Sequence, residues 1–333
     1  MPTPKGITMK IRATLKNVII GFLLLGAAAH TFGQAYPARP IRLVVPFPPG
    51  GAVDFYARVV QQPLSEALGA QVVIDNKAGA SGMVGAEIVA KSPPDGYTLL
   101  LGNIASLAIN VGLYAKMPYD PLKDLTAIVR TVDVNYALVV HPSVPANTVQ
   151  ELVSYAKANP GKLSYGSAGS GSLPHLGTEL FKAQAGIDML HVPYKGGGPM
   201  VTDLLGGTVQ VVIGDQANLM PHVQSGKLRS LAVATTKRSP NFPNLPTIAE
   251  SGLAGYDSTA WQGLAGPAGL PPEVVKRLNE AFSMVMAIPA VREKLAGGGL
   301  EVMGGSPDQF ARFIASEITK WTKISKDVGA KVE

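Results

Sequence analysis

Short apolar runs alternate with longer amphipathic stretches through the first third of the chain. Residues 41–45, 71–75 and 97–101 are rich in Val, Ile and Leu and predict β-strands, whereas residues 54–68 and 82–91 have the spacing of helices. The order is therefore strand, helix, strand, helix, strand, with connections long enough to hold a helix. Such an order predicts a parallel sheet that is covered by helices on both faces.

A second series of strands and helices begins near residue 135 and predicts a second sheet. Its strands are expected at 135–140, 163–166, 189–192, 209–213 and 228–233, and its helices at 149–158 and 174–185. The last part of the chain is mostly helical, with helices expected at 272–286, 289–295 and 307–328. A helical tail after a second sheet indicates that the chain returns to the first lobe. We therefore expect an α/β fold of two doubly wound lobes around a cleft, with lobe 1 at 36–134 plus 260–333, lobe 2 at 135–259, and crossings near 131–137 and 256–264.

The first 35 residues have the plan of a secretory signal peptide. Four basic residues precede an apolar run at residues 18–29, and Gly33-Gln34-Ala35 offers small residues at a cleavage site. The apolar run is shorter than the ~20 residues that span a bilayer, so a retained N-terminal anchor is the less favoured alternative. Met9 is a second candidate start. We expect export to the periplasm and removal of residues 1–35.

Composition excludes several classes of protein. The leader holds four of the 29 Lys and Arg residues and none of the 23 acidic ones, so the rest of the chain has a net charge of only +2. This charge gives no argument for nucleic-acid binding. The chain has no Cys, and its histidines after residue 35 lack His-x-x-x-His spacing. No Walker A motif is present, and we expect no metal or other cofactor.

A proline–glycine turn follows the first predicted strand. Pro48 and Pro49 prevent the strand from continuing, and Gly50 and Gly51 let a bound group approach the backbone. The turn lies at the carboxyl end of a parallel strand, where ligands bind in open α/β sheets, and the next helix directs free N–H groups there. Such donors favour an anion. Asp54, in the first helical turn, either stabilises the helix dipole or contacts a ligand.

Three further loops share this arrangement. Residues 102–106 follow the third predicted strand, and Ser106 either caps a helix or faces the cleft. Residues 166–172 combine serine hydroxyls with uncrowded amides, and we expect them to bind the anion from lobe 2. Residues 194–199 repeat the pattern, and Lys195 is the one cationic side chain in the four loops. Asp215, after another predicted strand, is either a cleft residue or a strand-end cap.

Catalysis by a serine nucleophile is disfavoured on motif grounds. Ser172 and His175 are three residues apart and could meet on one helical turn. However, no serine in the chain has the Gly-x-Ser-x-Gly spacing of a nucleophile elbow. We expect Ser172 to be a helix N-cap, and His175 to start the helix or contact the ligand. Trp261 is expected in the core, with a hinge aromatic as the alternative.

Short motifs follow one another in a fixed order from residue 37 to residue 269. The set begins with Pro37-x-x-Pro40-Ile41 and Pro46-Phe47-x-x-Gly50-Gly51-x-x-Asp54-x-x-Ala57-Arg58, and it ends with Gly266-Pro267-Ala268-Gly269. Matching segments between them lie at 76–82, 94–100, 159–163, 192–196, 204–207 and 246–252. Each motif is unspecific alone, but the ordered set closely resembles the tripartite tricarboxylate transporter substrate-binding proteins, also called Bug receptors.

This resemblance implies a periplasmic-binding-protein fold of the Venus-flytrap, type II-like kind, whose two lobes close on a small organic carboxylate without transforming it. It implies large and small transporter membrane subunits as partners; we expect a monomer. A periplasmic sensor for a signalling partner is the alternative function, followed by a serine hydrolase. In relatives the carboxylate is held by loops that correspond to residues 47–54 and 167–172. The candidate ligand-binding residues are Phe47, Gly50, Gly51, Asp54, Ser106, Ser167, Ala168, Gly169, Ser170, Ser172, His175, Lys195 and Asp215.

Overall fold

The strands of the protein form two sheets. A computed structural model describes residues 36–240 and 242–331, so the predicted signal peptide lies outside the described residues. The strands are β1 (Ile41–Val45), β2 (Val72–Asn76), β3 (Thr98–Asn103), β4 (Leu125–Val134), β5 (Tyr136–Val140), β6 (Ser164–Ser167), β7 (Leu190–Pro193), β8 (Val211–Asp215), β9 (Arg229–Val233), β10 (Ala260–Pro267) and β11 (Leu300–Val302). The six-stranded sheet has the order β11-β4-β10-β3-β1-β2, and the five-stranded sheet has the order β7-β6-β8-β5-β9.

Helices connect most of these strands and cover the sheets. They are α1 (Ala52–Leu68), α2 (Met83–Ala90), α3 (Asn110–Leu113), α4 (Val149–Ala158), α5 (Leu173–Ala185), α6 (Gly197–Leu205), α7 (Gln216–Gln224), α8 (Pro272–Ala287), α9 (Pro289–Gly297) and α10 (Pro307–Asp327). A 3₁₀ turn at Ala80–Gly82 precedes α2, and a π-helical turn at Ala105–Ile109 precedes α3. Within the described part of the chain, no helix has both the length and the apolar character needed to cross a bilayer.

Both sheets are mixed, whereas the strand–helix order predicts parallel ones. The prediction is correct for β1, which is parallel to β2 and β3, and β6 is likewise parallel to β7 and β8. However, β10 is antiparallel to β3 and β4, and β5 is antiparallel to β8 and β9. Strand β10 is not predicted from the sequence, because Ala-Trp-Gln-Gly-Leu-Ala-Gly-Pro has low strand propensity. All eight of its residues are buried, so packing between β3 and β4 places this segment in the sheet.

The chain crosses between the two sheets twice. The first crossing is the single residue Asn135, between β4 and β5, and the second lies in residues 234–259, between β9 and β10. We call residues 39–134 and 260–331, which carry the six-stranded sheet, lobe 1. Residues 135–259, which carry the five-stranded sheet, are lobe 2. Two crossings of this kind leave a cleft between the lobes at the ends of the strands.

Each lobe is stabilised by apolar residues on its sheet. In lobe 2, Leu138 and Val140 pack in one hydrophobic cluster, while Ala137 and Val139 pack in another. Because alternate residues of a strand point to opposite faces, β5 is covered on both sides. Trp261 of β10 is 1% exposed and donates from Nε1 to Glu317 Oε2 at 2.9 Å, as a buried indole requires.

Candidate functional site

A cleft lies between the two lobes and is lined by residues of both. One half has a volume of ≈ 430 Å³ and extends toward α6 and α7 of lobe 2, and the other has a volume of ≈ 350 Å³ and extends toward β10 of lobe 1. The halves are continuous, because eight residues line both of them. These shared residues are Phe47, Ala52, Val53, Asn103, Tyr136, Ala168, Pro174 and Asp215.

Helix α1 directs its N-terminus at the cleft from lobe 1. Gly51 is the N-cap, and no side chain accepts a hydrogen bond from the first turn. The first helical residues, Ala52 and Val53, line the cleft together with Gly51. The first N–H groups of a helix have no intrahelical acceptor and carry partial positive charge. The predicted turn after β1 therefore presents backbone donors to the cleft.

Two helices of lobe 2 begin at the opposite wall in the same way. Helix α6 follows the N-cap Gly196, which has a φ of 106° and no side-chain cap. Gly196 and Gly197 line the cleft, so amides without a side chain face it. Helix α5 begins after Ser172, again without a side-chain cap. The N-termini of α1, α5 and α6 thus meet at one cavity, an arrangement that attracts an anion from both lobes.

The walls supply this attraction without a cationic side chain. Among the described residues that line the cleft there is no Lys, Arg or His. Lys195, the cation predicted from sequence, is exposed and lies outside the walls. A second cavity, of ≈ 310 Å³, differs from the cleft because side chains of both charges line it. Of these, Arg130 pairs with Asp133, and Asp257 pairs with Lys320.

The loop that connects β6 to α5 uses most of its predicted donors internally. Gly169 N donates to Ser167 Oγ at 3.3 Å, and Ser172 N donates to the Gly169 carbonyl at 3.1 Å. The Ser172 hydroxyl also donates to that carbonyl at 2.6 Å. Ser172 therefore occupies the N-cap position but does not act as an acceptor there, contrary to expectation. Ala168 is the member of this loop that lines both halves of the cleft, and its N–H has no partner among the described residues.

Two stacked histidines, His175 and His191, form hydrogen bonds with this loop. Gly171 N donates to His175 Nδ1 at 3.1 Å, so this nitrogen is unprotonated. His175 stacks on His191 with ring centroids 4.1 Å apart, and His191 Nε2 lies 2.7 Å from Ser167 Oγ. Burial lowers the pKa of His175, and burial and then the charge of His175 lower the pKa of His191 to about 4. His175 and Ser172 each bond to the loop backbone, an arrangement that positions the loop.

Asp54 forms hydrogen bonds with the loop between β1 and α1 and is not on the cleft wall. The residue is 2% exposed, and its carboxylate accepts from Gly50 N at 3.0 Å, from Asn76 Nδ2 at 3.0 Å and from Arg58 Nε at 2.8 Å. Burial raises the pKa of Asp54, but the hydrogen bonds from Arg58, Gly50 and Asn76 outweigh burial and lower it. Of the two roles left open by the sequence, contact with a ligand is therefore not the one that the geometry favours.

The remaining predicted residues divide between the cleft and the protein interior. Phe47, Gly51, Ala168, Ser172 and Asp215 line the cleft. Ser106 is fully buried and its hydroxyl bonds to Asn103, so it does not face the cleft. Outside the walls lie Gly50, Asp54, Ser106, Ser167, Gly169, Ser170, His175 and Lys195.

Asp215 has both of the roles that the sequence left open, because it lies in the cleft and also caps a helix. It lines both halves of the cleft, and its Oδ1 accepts from Ala217 N at 2.8 Å as the N-cap of α7. Burial raises the pKa of Asp215 to about 6, against the opposing hydrogen bond from Ala217. The cleft therefore contains one carboxyl group that changes charge near neutral pH.

Sequence reasoning missed several wall residues that belong to strand ends. Asn103 ends β3 and Tyr136 begins β5, and their positions next to a predicted strand end could have identified them. Ser81 and Gln262 also line the lobe 1 half of the cleft. Gln262 could not be found because β10 was not predicted as a strand.

Two mixed α/β lobes with helix N-termini directed at a shared cleft define the class of periplasmic binding proteins. Residues 56–330 match the family model for the tripartite tricarboxylate transporter family receptor. The chain therefore belongs to this family of receptors, and the resemblance seen in its motifs is confirmed. Protein BugT of Bordetella pertussis is 39% identical over 318 residues, which cover 95% of this chain and 98% of BugT.

Solved structures agree with this assignment. An R. palustris protein solved with adipate is 41% identical, with a TM-score of 0.80 over 89% of this chain and 100% of that chain. MatC from Rhodopseudomonas palustris with bound malate is 31% identical, with a TM-score of 0.75 over 87% of this chain and 99% of that chain. The periplasmic binding protein BugD is 34% identical, with a TM-score of 0.76 over 89% of this chain and 100% of that chain.

Proposed function

We propose that this receptor captures a small organic carboxylate in the periplasm and presents it to the membrane subunits of a tripartite tricarboxylate-type transporter. The observation that carries the proposal is the meeting of uncapped helix N-termini from both lobes at a cleft without cationic side chains. These donors suit a carboxylate, because charge-assisted hydrogen bonds from backbone N–H groups are stronger than neutral ones. The relatives solved with adipate and malate support the same class of ligand.

Backbone donors alone are sufficient for useful affinity. A hydrogen bond to a charged group contributes about 1.5–3 kcal/mol, so about four of them approach the ~8 kcal/mol that micromolar binding requires. The backbone N–H groups of the cleft-lining residues Gly51, Ala52, Ala168 and Gly197 would provide donors in this number. No covalent step is needed for this role.

Closure of the lobes follows from the two-sided arrangement. A carboxylate bound to α1 of lobe 1 and to α5 or α6 of lobe 2 contacts both lobes at once. It therefore binds the closed state more tightly than the open state and shifts the population toward closure. The closed, loaded form is the one that a transporter would recognise, and we expect the receptor to act as a monomer.

Isothermal titration calorimetry on the protein without residues 1–35 tests the proposal. The panel contains straight-chain monocarboxylates and dicarboxylates of four to six carbons, malate, and the neutral amides of the same acids. We expect at least one acid to bind with micromolar or better affinity, and its amide to bind at least about 100-fold more weakly because it lacks the charge. Equal affinity for an acid and its amide, or binding of none of the acids, would refute carboxylate capture.

A further inference from the structure

Gln262 of β10 has a buried side-chain amide without a hydrogen-bond partner. The residue is 1% exposed, and neither Nε2 nor Oε1 bonds to any group in residues 36–240 and 242–331. Gln262 lines the half of the cleft that extends into lobe 1. The unbonded amide therefore belongs to the same cavity as the helix N-termini.

Such an amide is unusual in a folded protein. A glutamine amide offers two donors and one acceptor oxygen, and nearly all buried polar groups find partners. Leaving a buried donor or acceptor unpaired costs the desolvation of that group. The surrounding strands do not supply a hydrogen-bond partner for the Gln262 amide. A group that enters the cleft is therefore the remaining source of one.

Two other residues with neutral hydrogen-bonding side chains line this half of the cleft, which Asp215 of lobe 2 also lines. Asn103 is its Cα partner across the β10–β3 pairing, and Asn103 Oδ1 already accepts from Ala105 N at 3.1 Å and Ser106 N at 3.2 Å. Ser81 lies in a turn with a φ of 53° and is held by a bond from Asn110 Nδ2 to its carbonyl at 3.1 Å. Asn103, Ser81 and Gln262 line the same half of the cleft.

We propose that Gln262 is a specificity-determining residue, which hydrogen-bonds a second carboxyl group at the end of the ligand that lies in lobe 1. Asn103 and Ser81 complete this neutral subsite. The inference rests on the proposed function, since the first carboxylate of the ligand is the one held at the helix N-termini. The amide nitrogen of Gln262 has two N–H groups, which can donate to the oxygens of this second carboxyl group. A ligand without this second group would leave the amide unpaired, which disfavours its binding.

The decisive variant is Gln262→Met, which keeps the size of the side chain and removes its hydrogen-bonding groups. Gln216→Met is the matched control, because Gln216 is 2% exposed and its Nε2 also lacks a partner, but it is not on the cleft walls. Calorimetry compares each variant with the wild type for three pairs of acids: succinate with butyrate, glutarate with pentanoate, and adipate with hexanoate. Thermal unfolding of each unliganded variant reports whether it folds.

We expect the wild type to prefer one diacid over its monoacid by about tenfold or more, and Gln262→Met to lose most of this preference by binding the diacid more weakly. Affinity for the monoacid, and both affinities in Gln216→Met, should change less than about threefold. If Gln262→Met does not fold, Gln262→Glu is used instead. It should weaken binding of the diacid more than binding of the monoacid, because the introduced carboxyl group repels the second carboxylate of the ligand.

Two results would overturn the inference while leaving the proposed function intact. One is a wild type that binds an acid without any preference for the second carboxyl group. The other is equal loss, or no loss, of diacid and monoacid affinity in the Gln262 variant, as expected if only water fills the subsite. A wild type that binds no acid would instead refute the proposed function and the inference together.

Discussion

Replacing Gly51 with valine should abolish ligand binding with little effect on folding. Gly51 is the N-cap of α1 and lines the cleft, and its φ of −83° is accessible to any residue. A Cβ at this position meets no atom within 4 Å, so the valine side chain would stand in open space at the cleft wall. There it would cover the N–H groups of the first turn, which we propose as the lobe 1 donors.

The expected loss of affinity follows from the number of bonds that are blocked. Excluding the carboxylate from about two charge-assisted hydrogen bonds removes about 3–6 kcal/mol, which corresponds to a ~10²- to 10⁴-fold weaker affinity. The effect on stability should be smaller. Valine is a poor N-cap compared with glycine, which costs about 1 kcal/mol or less, and the greater rigidity of the unfolded chain offsets part of this cost.

Calorimetry with the tightest-binding acid and thermal unfolding without ligand measure the two effects separately. Gly297→Val is the matched control, because Gly297 ends α9 outside the cleft and its Cβ position is equally open. Gly50 is unsuitable as a control, since its φ of 92° would strain any other residue. Affinity in Gly51→Val within about threefold of the wild type would refute the assignment of this helix N-terminus as a ligand site.

Three further predictions follow from charged residues at or near the cleft. Asp54→Asn should destabilise the protein by about 1–3 kcal/mol at pH 7, as measured by chemical denaturation. Because the pKa of Asp54 is lowered in the folded state, the difference in stability from the wild type should shrink as the pH falls below the ordinary pKa of 3.8. A difference that stays constant with pH would contradict this. Affinity for a dicarboxylate should fall as pH rises from about 5.5 to 7.5, because Asp215, with a pKa of about 6, becomes charged in the cleft. Asp215→Asn, which keeps a good N-cap, should remove this dependence, whereas a ligand with an ammonium group would instead bind Asp215→Asn more weakly. Lys195→Ala should change affinity less than about threefold in calorimetry, since Lys195 is exposed outside the walls; a tenfold loss would show that it reaches the ligand.

Helix N-termini explain why part of the candidate site could be predicted from local sequence. The turn Pro48-Pro49-Gly50-Gly51 ends a strand and begins a helix, so the direction of the free N–H groups follows from the order of elements alone. Ala168 and Asp215, which follow predicted strands, also line the cleft. Individual side chains were less predictable, because an Asp or Ser near a turn can bond to its own backbone as readily as to a ligand. Asp54 and Ser172 both form such local bonds.

Periodicity and turn residues along the chain were sufficient to predict two α/β lobes, because the spacing of apolar residues within a segment indicates whether it is a strand or a helix. The pairing of strands that are distant in sequence was decided only by tertiary packing. Burial between β3 and β4 makes a strand of the glycine-rich segment Ala260–Pro267 and places Gln262 at the cleft. The physical reason is that burial between distant segments can make a strand of a sequence whose own strand propensity is low. The pattern within these eight residues does not indicate which strands will bury them.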